Sequence, residues 1–84
     1  DNKKVHLDKA GYFLIRIHDQ KIEAGFCNNQ HKMLYKWASD SAADLSKAIA
    51  DKNLNITAEH ALYLGRELQR AETALKNNQQ YIQD

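Results

Sequence analysis

Proline is absent from this chain of 84 residues, cysteine occurs once and glycine three times. With no proline, low-complexity tract or internal repeat, nothing reads as a linker, and the chain is expected to fold as one unit. A lone Cys27 excludes an internal disulfide. No run of 18 apolar residues is present and nothing resembles a secretion signal, so the expected setting is soluble, reducing and cytoplasmic, with no membrane partner. An excess of charge is missing too. Twelve Lys and Arg against eleven Asp and Glu leave +1, which argues against a nucleic-acid binder that relies on bulk positive charge.

What is there is the composition of a folded protein, 43% apolar and 27% charged. A chain of this size buries only about 64% of the surface that its unfolded form exposes, so its core is small. The longest regular pattern runs from Ile56 to Lys76. At about 100° per residue, Ala61, Leu64, Gly65, Leu68, Ala71 and Leu75 fall on one side of a helix and Glu59, Tyr63, Arg66, Glu67 and Arg70 on the other. Thr57 suits its start as an N-cap, and Lys76 with Asn77 and Asn78 suits its end.

Asp1 to Lys9 is polar apart from Val5 and Leu7, and residues 1–10 read as a flexible lead-in or short extended arm. From Gly11 the pattern changes. Tyr12–His18 and Lys21–Cys27 alternate like strands, and a short turn at Asp19-Gln20 pairs Ile17 with Ile22, Ile15 with Ala24, Phe13 with Phe26 and Arg16 with Glu23. Asp-Gln is a poor match to the Asn-Gly type of hairpin turn, and a four-residue loop keeps the same pairing. A third strand, Lys32–Ala38, follows the polar Asn28–His31. A four-residue loop there sets Phe26 against Met33, Ala24 against Tyr35 and Ile22 against Trp37, giving one face of nine apolar side chains.

Such a face needs a cover. Ser41 with Asp44 three residues on, followed by Leu45, Ala48 and Ile49, marks a first helix running to about Lys52. The predicted fold over 11–84 is a single α+β domain, a three-stranded antiparallel β-meander with two α-helices on one face.

Gly11-Tyr12-Phe13, Ile22 to Cys27, the stretch His60-Ala61-Leu62-Tyr63-Leu64-Gly65-Arg66-Glu67-Leu68 and the ending Tyr81-Ile82-Gln83-Asp84 resemble an uncharacterised small domain appended to archaeal proteins related to dihydropteroate synthase. The likeness runs from Gly11 to Asp84, and in the first helix it is one of character only. The resemblance implies an accessory module near pterin or one-carbon metabolism. In that family the module often follows a pterin-binding-like barrel, which this chain does not have, and it carries no established catalytic residues.

The candidate chemistry is sparse. Arg66 and Arg70, one turn apart beside Tyr63, could grip a carboxylate or phosphate; equally, they suit a solvated helix face on which Glu67 pairs with Arg70. Cys27 and His31, with His6, His18 and His60 elsewhere, do not add up to a zinc site, and Cys27 with His60 has no nucleophile motif around it. No catalytic residue, metal or cofactor is expected. Gly65 inside a helix implies a close neighbour, and Glu72 within the apolar stripe implies either a solvent-reaching edge or a partner's basic group.

Two functional classes follow. One is an interaction module that docks a protein partner, a second copy of the chain among the candidates, through the polar face of the long helix or an open sheet edge. The other binds an acidic or pterin-like small molecule, or serves catalysis, with His60, Tyr63, Arg66, Glu67 and Arg70 as its binding residues.

Overall fold

The computed structural model describes residues 3–7, as backbone, and 11–81. Its element order is β1 Lys3–Leu7, β2 Gly11–His18, β3 Lys21–Cys27, β4 Met33–Ser39, α1 Ala42–Ala50 and α2 Ala58–Lys76. The α+β architecture is as expected, an antiparallel meander followed by two helices. One strand precedes it. Lys3–Leu7, expected within a flexible lead-in, pairs with β2, setting Val5 opposite Phe13, and the sheet order is β1-β2-β3-β4. The alternation of Val5 and Leu7 was the mark of that strand, and β2 offers it an edge to pair with. Residues 1–2, 8–10 and the Ile82-Gln83-Asp84 part of the resemblance lie outside the described residues.

The β2–β3 hairpin has the expected register throughout, from Phe13 opposite Phe26 to Ile17 opposite Ile22. Its turn is the two-residue form, with Asp19 at φ 53° and Gln20 at φ 60°. Both residues sit in the left-handed region that the twist of a tight hairpin demands, without the glycine that eases it. Arg16 Nε donates to Glu23 Oε1 at 2.8 Å on the outer face, and Lys36 Nζ lies 3.6 Å from the same oxygen.

Between β3 and β4 the expected register is displaced by two residues. Phe26 faces Tyr35, Ala24 faces Trp37 and Ile22 faces Ser39. Two local features cause the shift. Asn28 Oδ1 accepts from the amides of Gln30 and Lys32, and His31 turns left-handed at φ 64°, so the loop includes Lys32. A bulge then separates the pair Cys27–Met33 from the pair Phe26–Tyr35. A slip of two keeps Tyr35 and Trp37 on the inner face. Met33, on the loop side of the bulge, is instead half-exposed and lies over Gly25, where an added Cβ would come within 2.7 Å of its Cε.

Phe13, Ile15, Ile22, Ala24 and Phe26 from the sheet meet Ala42, Leu45 and Ile49 from α1 and Leu64, Leu68, Ala71 and Ala74 from α2 in one core. Phe13 and Phe26 pack with ring centroids 5.2 Å apart, and Trp37 stands 6.1 Å from Phe13. Ile17 and Trp37 are partly buried at its margin. Tyr35, expected inside, is 38% exposed and carries Lys52 Nζ 4.9 Å above its ring.

Candidate functional site

The long helix starts at Ala58, with Thr57 Oγ1 accepting from the amide of His60, and ends at Lys76, with Asn77 as its C-cap. Its buried stripe is Leu64, Glu67, Leu68, Ala71 and Ala74. Relative to the expected stripe this is rotated toward Glu67 and away from Ala61, which is exposed. The clue in the sequence was Ala74: Leu64, Ala71 and Ala74 stand three, four and seven positions from Glu67, the spacing of one helical face.

A carboxylate in that position must be satisfied. The chain beyond α2 does so. Asn78 turns left-handed at φ 54° and Gln79 donates its amide to the Ala74 carbonyl at 2.8 Å, the geometry of a Schellman stop. The segment folds back along the helix until the Tyr81 hydroxyl donates to Glu67 Oε1 at 2.6 Å. Arg70 Nη1 donates to both Glu67 oxygens, at 3.1 and 2.9 Å, with its guanidinium carbon 5.8 Å from the centre of the Tyr81 ring. Burial, and then the hydrogen bond to Glu67, push the Tyr81 phenol above its ordinary pKa.

Glu72 has a related task. Its Oε1 accepts the amide of Ala42 at 2.7 Å, at the first residue of α1, and its Oε2 lies 3.2 Å from Lys76 Nζ. The amide of Ala42, then Lys76, hold its carboxyl below the usual range. Its partner is therefore the start of the other helix, neither open solvent nor a second protein. Gly65 overturns an expectation as well, because a Cβ built there meets nothing within 4 Å.

Between α2 and the returning segment lies a groove of about 570 Å³ lined by Arg66, Gln69, Arg70, Thr73, Ala74, Gln79, Gln80 and Tyr81. Of the expected binding residues, Arg66 and Arg70 line it. Tyr63, 42% exposed, stands one helical turn before Glu67 on α2. Glu67 is buried beneath the groove as a structural group, and His60 is tied into the N-cap, its Nδ1 3.0 Å from Thr57 Oγ1. Reading the sequence missed Gln69, Gln79, Gln80 and Tyr81, because only the backward fold of the chain brings the last three to the helix.

On the outer sheet face Tyr12 Oη lies 2.8 Å from His31 Nδ1 beside the buried Cys27. Burial and the neighbouring Cys27 push the Tyr12 phenol up. His18 pairs with Lys21 at the far end of the hairpin. Among the described residues no group of three or more His, Cys, Asp or Glu side chains could hold a metal ion. No helix of the described residues is long and apolar enough to cross a membrane.

A model of the PterinBD-DUF4346 family matches residues 7–84. The chain belongs to that family. The chain is similar to the uncharacterised protein ycf91 of Pyropia yezoensis, 36% identical over 91 residues that cover 99% of this chain and 78% of that protein, and to the uncharacterised protein ycf91 of Porphyra purpurea, 39% identical over 89 residues that cover 96% and 74%. No solved structure matches. The family's name supplies a link to pterin binding. The archaeal setting of the resemblance is not shown, for both relatives come from red algae. In this PterinBD-DUF4346 chain, then, part of the expected site is structural: Glu67 is buried against Arg70 and Tyr81, while Arg66 and Arg70 line the groove.

Proposed function

We propose that this chain is a non-catalytic accessory module of pterin-related metabolism, working in a cytoplasmic setting and docking a partner through the exposed side of α2. The observation that carries the reading is the state of Arg66. It is exposed, it has no ion-pair partner among the described residues, and it stands beside Leu62 and Tyr63, 61% and 42% exposed. Arginine and tyrosine next to an exposed apolar side chain are the residue types that dominate binding energy at protein surfaces. The test is to replace Arg66 and Tyr63 together by alanine and compare cross-linked partners of the two proteins. The variant should lose its partner while melting within a few degrees of the parent, since surface changes shift stability by about 0.5 kcal/mol or less each. Retained capture would remove α2 from the binding surface.

The groove favours a second reading, a pterin-like ligand that bears an acidic group. Its volume of about 570 Å³ falls in the range of small-molecule sites, roughly 300 to 1,000 Å³. The amides of Gln69, Gln79 and Gln80 can match the donors and acceptors on the edge of a heterocycle, and Arg66 its carboxylate. Thermal shift with pterins, folates and nucleotides tests it. A ligand at a hundred times its Kd adds about 2.7 kcal/mol and a clear rise in melting temperature, and Arg66→Ala should reduce that rise.

A further inference from the structure

Glu59 and Arg66 are seven residues apart on α2, which places them on one lateral row of the helix, roughly 10.5 Å from each other along its axis. Both are exposed, and neither has an ion-pair partner among the described residues. Within the helix they are too far apart to pair. Ala58, Leu62, Gly65 and Gln69 form the adjacent row by their spacing. Ala58 and Ala61 are exposed, Leu62 is 61% exposed, and the space over Gly65 is open. A helix can approach closely where side chains are small, and an exposed leucine among them has apolar surface to bury.

We infer that this face of α2 packs, antiparallel, against the same face of a second copy of the chain. The inference rests on the proposal that α2 is the docking surface and names its partner. The reason is charge symmetry. A two-fold axis passing between the two helices at the level of positions 62 and 63 places Glu59 of each copy opposite Arg66 of the other, so that two ion pairs form across the contact. Leu62 then lies next to the axis and meets Leu62 of the partner copy, while Gly65, on the same row, adds no side chain and leaves room for the approach. A parallel arrangement would instead set Glu59 against Glu59 and Arg66 against Arg66. A symmetric contact of this kind is self-complementary, as a closed dimer requires.

The other exposed apolar group, Met33, Leu34 and Tyr35 on the edge strand β4, has features that oppose edge-to-edge association. Lys32 precedes it, and the strand carries Lys36 and contains the bulge; lysines and bulges discourage strand pairing. The helix face has no such obstacle.

One helix pair buries less than the roughly 1,200 Å² of a standard interface, so the dimer belongs to the weak class, with a micromolar Kd. Sedimentation equilibrium from about 1 µM to 1 mM at low salt covers that range. Either reversal alone, Glu59→Arg or Arg66→Glu, creates two like-charge contacts and should raise the Kd at least about tenfold. The two reversals in one chain restore the pairing and should return the Kd to within about threefold of the parent. Leu62→Cys should form an intermolecular disulfide under mild oxidation, because the two sulfurs meet at the axis. A parent protein that stays monomeric at the top of the range overturns the inference, as does a dimer indifferent to the single reversals or not restored by the double one. A monomeric parent whose cross-linked partner is still lost on changing Arg66 and Tyr63 would refute the second copy alone. A monomeric parent whose partner is retained would remove the docking proposal as well.

Discussion

The two halves of α2 use their polar side chains in opposite ways. From Glu67 onward two carboxylates are turned inward upon the protein: Glu67 binds Arg70 and Tyr81, and Glu72 binds Lys76 and the first amide of α1. From Ala58 to Arg66 it is turned outward, with Leu62 and Tyr63 exposed and Glu59 and Arg66 without ion-pair partners among the described residues. One amphipathic helix thus carries carboxylates that hold the fold in one half and charges without an ion-pair partner among the described residues in the other. Charge density does not distinguish them, since both halves hold acids and bases.

That contrast can be broken most severely in the second half. Leu68, fully buried, should cost about 2 to 5 kcal/mol when replaced by alanine, read as a fall in the urea midpoint. Next comes Tyr81→Phe, which removes a hydrogen bond to a buried carboxylate and should cost about 1.5 to 3 kcal/mol at neutral pH. It should also alter the alkaline limb. Because the folded-state pKa of Tyr81 is raised, its contribution is full below the unfolded value of about 10 and declines as pH rises beyond it. The phenylalanine variant should lose that part of the decline in melts above pH 10.

Gly65 lies at the boundary between the halves, and there the expected sign is reversed. With nothing within 4 Å of an added Cβ, Gly65→Ala should stabilise the monomer by up to about 1 kcal/mol on helix propensity alone. A loss of stability would mean a neighbour is present after all. Glu72→Gln is a smaller perturbation, visible in acid. A depressed folded-state pKa gives stability that is present above the unfolded value of about 4.3 and lost as pH falls through the folded one. The variant should therefore show a flatter loss of melting temperature below pH 5. Smallest of all is Arg66→Ala, expected within about 0.5 kcal/mol of the parent in the same melts.

Alternation and turn length make most of the fold legible in the sequence. The hairpin register from Phe13–Phe26 to Ile17–Ile22, both helix starts at Ser41 and Thr57, and the antiparallel meander under two helices all follow from local pattern. The β3–β4 register did not, because Asn28 lengthens its loop through side-chain bonds and a bulge leaves no periodic trace. The site was half legible. Arg66 and Arg70 stand together at the groove, but Glu67 is buried, because the apolar stripe is centred on the row of Leu64, Ala71 and Ala74 and not on the side of Ala61 and Gly65. The residues that close the groove were out of reach, since Tyr81 finds Glu67 only through the reversal at Asn78.

Sheet order bears on how quickly such a chain can find its shape. In β1-β2-β3-β4 strands pair only with their neighbours along the chain, so the meander can zip from its two-residue turn outward with small closure entropy at each step. The distant closures fall to α2, which packs on β1, β2 and β3. An assembly rate set by short-range pairing leaves the sheet's inner face uncovered only until the last helix arrives, a favourable sequence of events for a chain whose edge strand keeps apolar side chains in water.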